Sequence, residues 1–168
     1  ALRGRRSIRK YEDEPVSMDL VRQVVEAGTW APSTKNGQQW RFTVLTGNAK
    51  KELTGLFKRK LEAVSKRIGL GKMGSSFSSC SVMEQAPVLI IVWNAGEMGC
   101  ESEIHSVAAA IQNMLLKGHA LGLGTVWIED ISYTMSALKR HLGKPWKLTA
   151  AVALGWPAEK PKPRPRKS

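Results

Sequence analysis

The chain has 168 residues, 42% of them apolar, which suits one domain with a buried core and excludes a disordered polymer. Lysine and arginine outnumber aspartate and glutamate by 26 to 14, for a net charge of +12, so the partner expected is either nucleic acid or a phosphorylated ligand in a basic pocket. No apolar run approaches the ~20 residues of a membrane span, and the longest, 86–93, has strand length.

The start, Ala1-Leu2-Arg3-Gly4, is basic without the apolar stretch of a signal peptide, and the absence of an initiator methionine implies that an earlier segment was trimmed. Arg5, Arg6, Ser7 and Arg9 are expected on an N-terminal helix with Arg5 and Arg9 on one face. Taken alone, the segment reads as a solvated basic helix end. Guanidinium groups so spaced also suit paired, charge-assisted bonds to phosphate. Val16-Ser17-Met18-Asp19 opens the next helix, capped by Ser17 and carrying apolar positions through Gly28. Pro32 ends it, because the residue before proline is pushed out of the helical region.

Residues 40–46 alternate as a strand with Trp40, Phe42 and Val44 on one side, and Gly47-Asn48 reads as a turn. Leu53, Leu56, Phe57, Leu61, Val64 and Ile68 mark a long amphipathic helix. The Gly- and Ser-rich run 69–81 reads as a mobile loop. Residues 87–93 suit a strand buried on both faces, 102–121 a helix closed by Gly122 and Gly124, 125–128 a short strand, 134–142 a helix, and 147–155 another apolar strand. From Pro157 the chain is proline-rich and basic and is expected to be extended. Helices alternating with strands imply an α/β layer structure, with parallel or antiparallel pairing left open.

Cys80 and Cys100 have no metal-type spacing to His105, His119 or His141, so no metal site is expected and both thiols read as unpaired, as in a cytoplasmic protein. The histidines read as structural. Trp30, Trp93 and Trp156 read as core or interface. Neither a dinucleotide-binding G-x-G-x-x-G in the right context nor a phosphate-loop motif occurs.

Four blocks, in order, carry a resemblance. They are Arg5-Arg6-Ser7-x-Arg9; Ala31-Pro32-Ser33-x-x-Asn36-x-Gln38-x-Trp40-x-Phe42; Ala109 to Leu115 running on through Ala120-Leu121-Gly122-Leu123-Gly124-Thr125-Val126-Trp127-Ile128; and Ala153-Leu154-Gly155-Trp156-Pro157-Ala158-Glu159-Lys160-Pro161 followed by Arg164-Pro165-Arg166-Lys167. In these the chain resembles the flavin-dependent nitroreductase-like family. The resemblance implies an α/β (α+β) fold of residues 1–168 as a single domain. It has a central mixed, mainly antiparallel sheet flanked by helices, in an intertwined homodimer with FMN at the interface. It implies that Arg5, Arg6 and Ser7 hold the phosphate and ribityl chain, and that Arg9 lies near N1 and O2 of the flavin. Pro32, Ser33, Asn36 and Gln38 would reach the flavin from the other subunit. Trp127, Ile128 and Glu129 would face the ring, a backbone N–H near Glu129 bonding N5, and Arg164 and Arg166 would complete the phosphate clamp.

The function implied is an FMN-dependent, cytoplasmic NAD(P)H oxidoreductase. It reduces nitroaromatic or quinone-type acceptors by ping-pong hydride transfer through flavin N5, with no side-chain acid or base assigned. The alternatives are a dehalogenating or flavin-fragmenting relative, a flavoprotein without turnover, or a basic nucleic-acid module, which has only the charge in its favour. The chain departs from the family at three places. Asp130 stands where many members have glycine, Gln39 replaces a proline before Trp40, and the chain ends at Ser168, soon after the basic pair, which argues against an exchanged C-terminal arm.

Overall fold

The computed structural model describes residues 1–68 and 74–166. Among the described residues five α-helices flank one four-stranded sheet: α1 (Met18–Thr29), β1 (Trp40–Leu45), α2 (Gly47–Ile68), α3 (Gly74–Gln85), β2 (Val88–Asn94), α4 (Glu101–Ala120), β3 (Gly124–Ile128), α5 (Met135–His141) and β4 (Lys147–Gly155). The strand order is β1-β2-β4-β3 and every pairing is antiparallel. One isolated parallel bridge, Ser7 to Thr125, lies outside the strands.

Side-chain alternation along the two central strands explains the layers. Leu89, Ile91, Trp93, Ala151 and Ala153 point to one face and pack with Leu53, Phe57 and Leu61 of α2 and Cys80 and Met83 of α3. Ile90, Val92, Ala150, Val152 and Leu154 point to the other and pack with Val21 and Val24 of α1 and Val107, Ile111 and Met114 of α4. Helices on both faces bury β2 along its whole length, so its continuous apolar run belongs here to an antiparallel strand.

Three expectations are corrected. Residues 5–9 are not helical: Ile8 donates its N–H to the Thr125 carbonyl at 3.0 Å and the segment lies beside β3. Gly124 permits that approach, since a Cβ there would lie 2.7 Å from the Ile8 side chain. Gly47 starts α2 rather than a separate turn. Finally, residues 74–81 are the first part of α3, not a loop. Phe77, Cys80 and Met83 give this helix an apolar underside. Its far end is capped by Lys50, whose Nζ donates to the carbonyls of Glu84 at 2.7 Å and Ala86 at 2.5 Å. The remainder of that expected loop, 69–73, lies outside the described residues.

Both cysteines are free. Cys80 is only 2% exposed, and burial, with Glu84 adding, pushes its thiol up to about 11. A folded-state pKa above the unfolded one means the contribution is intact below the ordinary thiol value and is lost as pH rises through the folded value. Tyr11, held high by burial and then by Glu159, acts with the same sign at still higher pH. Between pH ~8.5 and ~11, Cys80→Ala is therefore expected to lose less stability than the parent, by on the order of 2 kcal/mol in the unfolding free energy read from urea denaturation. Parallel pH profiles for the two proteins would refute this.

Candidate active site

The two ends of the chain are stitched together beside β3. Glu12 donates its N–H to the Trp156 carbonyl and Ala158 donates to the Lys10 carbonyl, each at 3.0 Å. One oxygen of Glu159 accepts from the backbone N–H groups of Arg9 at 2.5 Å and Lys10 at 3.2 Å. The Tyr11 hydroxyl donates to the Ile8 carbonyl at 2.8 Å. Gly155 makes room for this joint, because a Cβ there would sit 2.8 Å from the Tyr11 ring.

The consequence is electrostatic. Arg5, Arg6, Ser7 and Arg9 from one end, and Arg164 and Arg166 from the other, line a single cavity of about 530 Å³. Arg3 and Lys162, basic residues of the two chain ends outside the expected cofactor set, join them, and among the described residues no carboxylate lines the cavity. Among the described residues the ion pairs are Arg22–Asp19 and Lys58–Glu84, so none of these seven cations is neutralised by a salt bridge. The Nε of Arg6 is buried without a partner, while its Nη1 donates to the carbonyls of Arg3 and Arg5. A larger hollow of about 770 Å³ adjoins, sharing Arg6, Pro161 and Pro163 and reaching His119 and Thr125, whose buried Oγ1 also lacks a partner. Unpaired positive charge and orphaned polar groups around a void fit an anionic, hydrogen-bonding ligand such as a phosphate ester.

Pro32, Ser33, Asn36 and Gln38 stay together but do not reach that cavity. They form a loop leading into β1, at the opposite edge of the sheet. Three strand spacings, roughly 14 Å at ~4.8 Å each, separate the two edges. The loop is held by Thr34, whose N–H donates to Ser106 Oγ at 3.0 Å, and by Ser33 Oγ, which accepts from the Gln38 N–H at 3.1 Å. Lys35, Asn36 and Gln38 all have positive φ, at 52°, 51° and 46°. Non-glycine residues rarely adopt that region, at a cost of ~1–2 kcal/mol each, and such strain concentrates where a loop serves a site. Gln39, in place of proline, is buried and donates from Nε2 to the Thr34 carbonyl at 3.3 Å.

Trp127, Ile128 and Glu129 end β3. Trp127 is half-buried with an unpartnered Nε1, Ile128 is buried, and Glu129 is exposed. Asp130 turns away to α3: its carboxylate accepts from Ser79 at 2.6 Å, Ser76 at 3.2 Å and Ser75 at 3.5 Å. The sequence reading missed this group, although serines at 75, 76 and 79 share a face once the run is helical. Of the tryptophans, Trp93 is core, Trp156 is half-buried and Trp30 is 80% exposed.

The stitch generates a direct expectation. In Glu159→Ala the amides of Arg9, Lys10 and Ala158 should exchange about tenfold faster or more, with those of β4 unchanged. Unaltered exchange at all three would show that the ends are held by something other than Glu159.

The sequence profile of the nitroreductase family matches residues 2–156. A provisionally named nitroreductase from Desulfovibrio desulfuricans, crystallised in complex with FMN, is 33% identical with a TM-score of 0.79, over 99% of this chain and 89% of that one. A protein of Methanothermobacter thermautotrophicus, provisionally named NADH dehydrogenase/NAD(P)H nitroreductase, is 28% identical over 96% of this chain and 78% of its own length. The 5,6-dimethylbenzimidazole synthase of Rhodospirillum rubrum is 22% identical over 92% of this chain and 79% of its own length. With the family profile matched over nearly the whole chain and the helix-flanked antiparallel sheet in common with an FMN-bound relative, this chain belongs to the nitroreductase family.

Proposed function

We propose that the chain is an FMN-dependent NAD(P)H oxidoreductase acting on nitroaromatic or quinone-type acceptors. The observation that carries the reading is the cavity of seven unneutralised cations joining the two ends of the chain. Like charges held this close repel one another unless an anion shares the space. A phosphate dianion answers that demand, and the family relationship together with the FMN-bound relative selects FMN as the molecule carrying it.

Bound FMN would supply the redox chemistry, passing reducing equivalents from a nicotinamide donor to the acceptor. The chain's own residues bind, orient and tune. Arg5, Arg6, Ser7, Arg164 and Arg166 hold the phosphate and ribityl end through charge-assisted bonds. Arg9 provides positive charge at the N1 and O2 edge, where a fixed cation favours the electron-rich state. Trp127, Ile128 and Glu129 would present the end of β3 to the ring, and a backbone N–H near Glu129 would serve its N5 edge. Pro32, Ser33, Asn36 and Gln38 serve the same site from a second copy of the chain. That assignment draws its support from the opposite sheet edges on which the two groups lie, and from the exposed Trp30 and Met18 on α1 and its end. The working unit is therefore taken as a homodimer built from residues 1–168 as one domain. Two free thiols suit the cytoplasm. A second reading, a flavin-fragmenting enzyme, is favoured by the 5,6-dimethylbenzimidazole synthase relative.

The test is to load the protein with FMN, desalt it, and add NADH or NADPH anaerobically. Retained flavin bands that bleach support the oxidoreductase and choose its donor. Retained bands that resist both donors favour a protein without nicotinamide-driven turnover, and release of 5,6-dimethylbenzimidazole under air would favour the second reading. Failure to bind FMN even in titration would overturn the proposal. Arg5→Ala and Arg166→Ala should each weaken FMN binding by about 1.5–3 kcal/mol, roughly ten- to a hundredfold in Kd. Arg9→Ala should act mainly by lowering the flavin reduction potential. If Arg166→Ala moved the potential and Arg9→Ala did not, the two roles would have to be exchanged.

A further inference from the structure

We infer that Glu103 is a positioning residue: buried at the start of α4, it fixes the segment 94–99 on which the loop at 33–38 leans, and so presents Asn36 and Gln38 to the cofactor held by a second copy of the chain. The role rests on the proposed function, in which that loop serves the partner's clamp.

Glu103 is only 1% exposed, and among the described residues it forms no ion pair. Its carboxylate is met by the main chain instead. The N–H of Met98 donates to Oε1 at 2.9 Å, the N–H of Gly99 to Oε2 at 3.2 Å, and Asn94 Nδ2 to Oε2 at 3.4 Å. Glu103 is the third residue of α4, so the positive end of that helix also favours its charge. A Cβ at Gly96 would strike the carboxylate, so the segment closes over Glu103 only with glycine there. Asn94 completes the fold of the segment by accepting from the Gly96 N–H at 2.8 Å.

The segment so fixed holds the loop from one end. Ala95 donates its N–H to the Gln39 carbonyl at 2.7 Å, and Gln39 Nε2 donates to the Thr34 carbonyl at 3.3 Å, closing the base of the loop. The other end returns to the same helix: the Thr34 N–H donates to Ser106 Oγ at 3.0 Å and Thr34 Oγ1 to the Ser102 carbonyl at 3.2 Å. Glu103 and Ser106 are three residues apart and share a face of α4, so one face grips both ends of the loop. Between the grips lie the left-handed Lys35, Asn36 and Gln38. Asn36, Gly37 and Gln38, with Trp40 and Phe42 of β1, line a cavity of about 590 Å³. A strained loop keeps one shape only while its surroundings determine it, and removing a buried acceptor strands the N–H groups that define those surroundings.

The experiment uses the full chain, in Glu103→Ala, Glu103→Gln and Ser106→Ala. Amide exchange is read first, without FMN. In Glu103→Ala the amides of Met98 and Gly99 lose their acceptor, and those of Thr34, Asn36, Gly37 and Gln38 should follow with exchange about tenfold faster or more, while Ile8, Ala158 and β4 stay unchanged. Glu103→Gln should be intermediate, because its amide oxygen keeps part of the acceptor capacity. FMN is then titrated: Glu103→Ala should bind it about tenfold more weakly, with Glu103→Gln recovering part of the loss. Finally Glu103→Ala is co-expressed with Arg5→Ala and the mixed dimer is purified through a different tag on each chain. It should regain one site of parent affinity, the clamp of the first chain meeting the loop of the second. Faster exchange at Met98 and Gly99 with 34–38 unchanged would refute the grip on the loop. Faster loop exchange with unaltered FMN affinity would refute the positioning role, and a mixed dimer without a restored site would refute service to a second copy. Should Glu103→Ala fail to fold, Glu103→Gln and Ser106→Ala carry the same comparisons. If the unsubstituted protein bound no FMN, the proposed function would fall and the cofactor role of Glu103 with it, whereas the exchange result speaks to the grip separately, so the two failures are told apart.

Discussion

The joint between residues 7–12 and the chain from Trp156 to Glu159 is the constraint on which the site depends. Its backbone bonds, and the Glu159 carboxylate that takes two N–H groups, hold together segments about one hundred and fifty positions apart in sequence. Each bond by itself contributes only ~1 kcal/mol net, but together they determine where both arginine-bearing ends must run. Glu159 lines the adjoining hollow, yet its carboxylate is turned to the backbone and forms no salt bridge among the described residues. A carboxylate that paired with the arginines would close the cavity to an anion. One that holds only the main chain organises the cations and leaves them available.

The sheet then separates the two groups of residues proposed to serve one site. Because β3 and β1 are its opposite edges, the cationic cavity and the strained loop at 33–38 cannot meet within one chain. Three left-handed residues so close together are an expense that a surface turn does not require, and Thr34 holds them in place from beneath through Ser106. A loop presented at one edge and a clamp open at the other are what the proposed homodimer would use, two copies completing each other's sites.

Asp130 illustrates how one departure from a family pattern changes character once its surroundings are visible. As a letter in the sequence, Asp130 stands beside the residues that the family resemblance assigns to the flavin ring. In the structure its carboxylate accepts hydrogen bonds from the hydroxyls of Ser75, Ser76 and Ser79 of α3. The family profile ends at residue 156, so Glu159, Lys162, Arg164 and Arg166 belong to a stretch for which the geometry is the more direct guide.

Local pattern was enough for most of the layers. The apolar runs of β2 and β4, the helical spacing of α1, α2 and α4, and the motif blocks containing Arg5, Ser33, Ile128 and Arg166 were all legible, because each depends on residues a few positions apart. Pattern failed at both ends of its range. Residues 5–9 read as a helix but follow β3, since a backbone partner at Thr125 outweighs a local preference. Residues 74–81 read as a loop because serine and glycine carry no helical signal, and they are helical because Lys50, Asp130 and the core beneath Phe77 and Cys80 supply what the local sequence lacks. The sequence by itself determined which residues are apolar, which are cationic and which family they spell. Only the tertiary structure decided that seven cations share one cavity, that the loop at 33–38 lies at the far edge, and that Asp130 faces serines, because each of these turns on contacts between residues too far apart for any periodicity to report.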